Sequence, residues 1–167
     1  MTTSPAPLAG YPRGVGSRSA GLLMYRRGGR GLEVLLVHPG GPYWQRKDEG
    51  AWTIPKGEIA GEEPALVAAR REFAEETGLT PPGPFRELAP VRQKAGKVVQ
   101  AWAFEGDCVP EQLTSNHFTM EWPPRSGKLC SFPEVDRAAF FTVDEARRKL
   151  NPAQVAWLDE LARLLAR

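Results

Sequence analysis

The stretch GEIAGEEPALVAARREFAEETGL, residues 57–79, decides how this chain is read. Its second half carries a helical pattern. Over residues 64–77, Leu66, Ala69 and Phe73 fall on one stripe; Pro64 suits the first helical position and Gly78 a left-handed stop. Positions i, i+3 and i+4 share a helix face, so Glu72, Glu75 and Glu76 crowd three negative charges onto one side. Like charges four residues apart destabilise a helix by on the order of a few tenths of a kcal/mol. Acids in the C-terminal half also oppose the helix macrodipole. Arg71, four residues before Glu75, offsets part of this, and an ordinary salt-bridged surface is the bland alternative. A divalent cation would turn the repulsion into ligation, because carboxylate oxygens are what Mg2+ binds alongside waters and phosphates.

Around this stretch the chain is ordinary in bulk. Its 167 residues suit one domain with a real core. With 41% hydrophobic and 25% charged residues the composition is that of a soluble globular protein. A formal net charge of +2 gives no reason to expect nucleic-acid or membrane binding through bulk electrostatics. Cys108 and Cys130 are isolated and read as reduced thiols of a cytoplasmic protein. No apolar run approaches the roughly 20 residues that span a bilayer.

Residues 1–18 are rich in Pro, Gly and Ser and read as a flexible leader, leaving 19–167 as the folded domain. SAGLLMYRR (19–27) and LEVLLVH (32–38) read as strands joined by the turn GGRG. FRELAPVRQK (85–94) and KVVQAWAFEGD (97–107) read as two more, around a turn at Ala95-Gly96. Residues 106–133, with four prolines, read as one long irregular segment. RAAFFTV (137–143) is a short strand, and Thr142 with Glu145 forms a capping box for the helix that follows. Asn151-Pro152 opens a last amphipathic helix with Val155, Leu158, Leu161 and Leu165 on its apolar face. Strands interspersed with helices imply a mixed α/β sandwich.

The segment 57–79 resembles the signature of the Nudix hydrolases. Gly57, Glu63, Arg71, Glu72, Phe73, Glu75, Glu76, Gly78 and Leu79 stand at the nine defining positions without a departure. The resemblance implies an α/β/α Nudix sandwich with a mixed sheet. It also implies hydrolysis of a pyrophosphate bond in a nucleoside diphosphate linked to another group, assisted by Mg2+ or Mn2+. By position, Glu72 and Glu76 would be the principal metal ligands, and Glu75 a further ligand or the base that activates water. The Gly57 carbonyl would be another ligand, with Glu63 and Arg71 in support. A further carboxylate would come from a later loop: Glu134 is favoured and Glu121 is the reserve.

Substrate contacts are expected from Lys56 in WTIPKGE, from Arg46 and Lys47, and from Arg125 and Lys128 in the long segment. Tyr43, Trp44 and Trp122 can stack on a base. His38 reads as structural. Some branch markers are absent: no tyrosine follows residue 79, and Ala95 stands where ADP-ribose pyrophosphatases carry a proline. The expected substrate is therefore a small nucleotide, either a dinucleoside polyphosphate or a nucleoside triphosphate, acted on by a monomer or homodimer. A nucleotide-binding sensor without turnover and an RNA 5′-pyrophosphohydrolase remain as alternatives.

Overall fold

The structure is a computed structural model and describes residues 17–167. The β1 strand, Arg18–Gly28, and the β2 strand, Gly31–Pro39, form an antiparallel hairpin. Both are buried on both faces, which is why they read as continuous apolar runs rather than alternating ones. The short β3 strand, Lys56–Glu58, pairs with β1, setting Ala20 opposite Gly57. The α1 helix, Ala65–Thr77, follows; then β4, Arg86–Arg92, and β5, Val98–Glu105, make a second antiparallel pair. Next come β6, His117–Glu121, and β7, Leu129–Pro133, then β8, Val135–Thr142. The α2 helix, Val143–Lys149, and the α3 helix, Ala156–Leu165, close the chain.

The main sheet runs β4-β5-β1-β2-β8. The β1–β5 pair is parallel and its other pairs are antiparallel, so the sheet is mixed. One face packs Ala20, Leu22, Met24 and Leu35 against Ala68, Ala69 and Phe73 of α1. The opposite face packs Leu23, Val34 and Leu36 against Ala146 of α2 and Trp157, Leu158 and Leu161 of α3. This is the expected α/β/α sandwich. Phe73 is fully buried and meets Phe104 edge-on at 5.4 Å. Burying such a side chain is worth about 1.5–3 kcal/mol, and here it anchors the acid-bearing helix to the sheet.

Four expectations need correction. Residues 106–133 are not irregular throughout, because β6 and β7 pair as a separate two-stranded hairpin with Phe118 opposite Phe132. Of its four prolines, Pro123 and Pro124 lie in the connecting turn, Pro110 opens a 3-10 turn and Pro133 ends β7, so none interrupts the interior of either short strand. Pro64 caps α1 from outside with extended backbone (ψ 142) rather than standing as its first residue. Asn151 caps a single 3-10 turn, Pro152–Gln154, through its side chain, and the α-helical part of the last segment begins only at Ala156. Arg18 is strand rather than leader; residues 1–16 of the expected leader lie outside the described residues. Among the described residues, no helix is long and apolar enough to cross a membrane.

Candidate active site

A cleft of about 480 Å3 opens where α1, β3 and the start of β8 meet. Glu72, Glu75, Glu76 and Glu134 line it, together with Gly57, Lys56 and Trp44. Three of the acids come from α1, which stops cleanly at Gly78 in the left-handed conformation (φ 80), with its amide bonded to the Ala74 carbonyl at 2.8 Å. Glu134 arrives from the far side of the chain. Asn116 explains how: its N–H donates to the Glu75 carbonyl at 2.8 Å, and its own carbonyl accepts from the Glu134 N–H at 2.9 Å. The segment 106–116 thus ties the loop before β8 to the end of α1. Glu121, the reserve candidate, ends β6, is exposed, and does not line the cleft.

Arg71 holds the loop and helix together. Its Nε and Nη2 donate to the two Glu63 carboxylate oxygens at 2.9 and 3.0 Å. Its Nη1 donates to Glu72 at 3.0 Å and Glu75 at 3.2 Å, and Nη2 reaches the Glu58 carbonyl at 3.1 Å. The fork geometry of a guanidinium suits this, where an ammonium would not. These bonds hold Glu63 well below the usual carboxylate range despite some burial, and raise Arg71 further.

The other acids are pushed the opposite way. Burial, and then the Glu75 carboxylate, raise Glu72 and Glu134. Burial lifts Glu76 to about 8, even though one of its oxygens accepts the Lys56 N–H at 3.2 Å. Burial and mutual repulsion thus disfavour the charged forms of Glu72, Glu76 and Glu134 in a partly desolvated space. Lys56 answers only in part: burial, and then the neighbouring Lys97 ammonium, lower it to about 8.

The donor chemistry fits a hard divalent cation, which takes carboxylate and carbonyl oxygens and would relieve this repulsion. Gly57 contributes to the fit, because a Cβ there would overlap the Glu72 carboxylate. Among the described residues, no three acidic side chains are already drawn together at ligand spacing. The reason is visible: Arg71 holds Glu72 and Glu75, while the Lys56 amide holds Glu76.

The expected substrate contacts divide. Lys56 and Trp44 line the cleft; Trp44 is 38% exposed and has the Lys47 ammonium 4.9 Å from its ring centre. Tyr43, 58% exposed, meets Trp122 edge-on at 5.3 Å outside the cleft lining. Arg46 is exposed and does not line it. Arg125 and Lys128 sit exposed at the β6–β7 turn, equally apart from it. His38 is fully buried between Asp136 Oδ1 (2.7 Å) and the Lys47 carbonyl (2.6 Å), pinning the aromatic loop to β2 and β8. The cleft lining also includes residues not expected from the sequence, Asn116 and Lys97 among them. Neither lies near the signature in sequence, and each reads locally as a plain turn residue. A second cavity of about 380 Å3 shares Glu76 and Val135 with the cleft and is otherwise walled largely by Trp52, Pro110, Leu113 and Arg137.

The sequence matches a family model described as NUDIX domain over residues 17–161. No curated protein matches it. Among solved structures, a C. elegans Ap4A hydrolase binary complex superposes with a TM-score of 0.63 at 22% identity, covering 89% of this chain and 98% of the other. A MutT protein from Methanosarcina mazei gives 0.60 at 18% identity, over 94% and 100%. The NUDIX domain of Shewanella oneidensis NrtR complexed with ADP ribose gives 0.58 at 17% identity, over 96% of each. At these identities the likeness is one of fold.

Proposed function

The chain belongs to the NUDIX family of pyrophosphohydrolases, and on that footing we propose that it hydrolyses a phosphoanhydride in a nucleotide, with a dinucleoside polyphosphate or a nucleoside triphosphate as substrate. The observation that carries this reading is the convergence of Glu72, Glu75, Glu76 and Glu134 from two distant segments on one cleft that also holds Lys56. Glu72, Glu76, Glu134 and the Gly57 carbonyl are the groups to hold Mg2+ or Mn2+. When bound, such an ion offsets the diphosphate charge and acidifies water.

The protein's own groups do the rest. Glu75 accepts a proton from water as its oxygen attacks phosphorus; the bridging P–O bond breaks and the leaving phosphate keeps the electron pair. Glu63 and Arg71 keep the loop and helix in register, so that Gly57 and the helix acids face the same cleft. Lys56 takes a phosphate oxygen, and Trp44 offers a face to a base, a contact worth about 1–3 kcal/mol where bases stack on aromatics. The adjoining cavity beyond Glu76 leaves room for a group on the other side of the broken bond. The free Cys108 and Cys130 suit a cytoplasmic setting.

The test is a nucleotide panel with Mg2+ or Mn2+ and phosphate detection, run on the wild type and on Glu76→Gln. Turnover that falls by at least about a hundredfold in the variant, with its thermal transition retained, supports the assignment. Equal rates at saturating metal refute it. The similarity in fold to a NUDIX domain crystallised with ADP ribose keeps a pure binding module as the second reading; binding without turnover of any diphosphate would favour it.

A further inference from the structure

The scheme above leaves one cation in the cleft unused. Lys97 lines the same cleft as Lys56 and the four acids, but it comes from the turn between β4 and β5, far from the signature. Among the described residues, neither Lys56 nor Lys97 forms an ion pair with a carboxylate, although the chain makes many such pairs elsewhere. Both lysines are half-buried.

Their positions are braced rather than accidental. Gln154 is fully buried, and its Oε1 accepts the Ile54 N–H at 3.1 Å, two residues before Lys56. Its Nε2 donates to Thr53 Oγ1 and to Gln93 Oε1, both at 2.9 Å. Gln93 in turn starts the turn that ends on Lys97, and its N–H donates to the Lys97 carbonyl at 2.7 Å. That turn runs through Ala95 and Gly96 at φ 66 and 77; Ala95 holds a conformation that residues with a Cβ rarely adopt. One buried amide therefore ties the segments that carry both lysines.

Two ammonium groups fixed in a partly dehydrated cleft repel each other and lose hydration. A polyanion shared between them reverses both effects. A diphosphate offset by divalent ions at the carboxylates would meet Lys56 and leave Lys97 unanswered, whereas a longer phosphate chain would meet both. We propose that Lys56 and Lys97 form a clamp for phosphates beyond the scissile anhydride, selecting substrates with at least three consecutive phosphates over nucleoside diphosphate sugars. The selection among substrates rests on the hydrolytic reading above; the clamp itself is a binding site and stands apart from turnover.

The experiment uses the full chain with Mg2+ and two inorganic probes, tripolyphosphate and pyrophosphate, in isothermal titration. The wild type binds tripolyphosphate about tenfold more tightly or better, as expected for one added charge-assisted contact. Lys97→Met removes that preference, Lys97→Arg keeps most of it, and both variants retain the wild-type thermal transition. In steady-state kinetics, Lys97→Met raises KM for ATP about tenfold with kcat little changed, and leaves KM for ADP-ribose in place. Equal binding of the two anions by the wild type, or an intact preference in Lys97→Met, overturns the clamp. A tripolyphosphate preference in a protein that hydrolyses no diphosphate supports the clamp and overturns the reaction proposed above.

Discussion

Replacing Arg71 by Met tests how the loop and the helix are held together. The guanidinium is 34% exposed and Glu63 only 16%, so their two-bond contact is partly shielded from water. Hydrogen bonds to charged groups are worth about 1.5–3 kcal/mol, and exposed ion pairs about 0–1 kcal/mol. Discounting for the exposure of Arg71 puts the Glu63 contact at about 2 kcal/mol. The bonds to Glu72 and to the Glu58 carbonyl add about 1 kcal/mol more. A total of about 3 kcal/mol corresponds to a fall in Tm of about 6–12 °C for a chain of this size. Calorimetry of Arg71→Met, Glu63→Gln and the double variant isolates the pair, with an expected coupling of about 2 kcal/mol. Magnesium gives a second readout. Arg71 is the internal counter-charge of Glu72 and Glu75, so its loss leaves those acids dependent on an external cation, and Mg2+ should raise the Tm of Arg71→Met more than that of wild type. A Tm within about 1 °C of wild type, or a coupling near zero, refutes the reasoning.

Two further variants probe the site and its frame. Gly57→Ala places a Cβ on the Glu72 carboxylate, the far end of a flexible side chain that can swing away. The expected result is a small change in Tm with Mn2+ affinity reduced about tenfold or more, read by titration calorimetry; unchanged affinity would count against Glu72 as a ligand. Asp48 ties the aromatic loop to Lys149 at 2.5 Å and to Trp52 Nε1 at 2.8 Å, and these bonds hold its carboxyl below the ordinary range. A depressed folded value means stabilisation that is complete above the unfolded Asp value of about 3.9 and is lost as pH falls through the folded value. Asp48→Asn should therefore lower Tm near pH 7 and converge on wild type at acid pH; a Tm difference independent of pH would contradict this.

Much of this protein could be read along the chain. The hairpin of β1 and β2, the acid-bearing helix with its glycine stop, and the Thr142–Glu145 capping box are local. Each depends on residues a few positions apart, where periodicity and backbone preference act directly. The segment 57–79 likewise announced Glu72, Glu75 and Glu76, because a helix brings i, i+3 and i+4 together whatever surrounds it. Tertiary structure decided what depends on distant segments meeting. It put Glu134 rather than Glu121 in the cleft lining, because Asn116 bonds the loop before β8 to the end of α1. It set Arg46, Arg125 and Lys128 apart from the cleft and brought in Lys97, which no local pattern distinguishes from a surface lysine. A charge's worth depends on the burial and the partners that packing gives it, and those arise only when remote parts of the chain close around the same space.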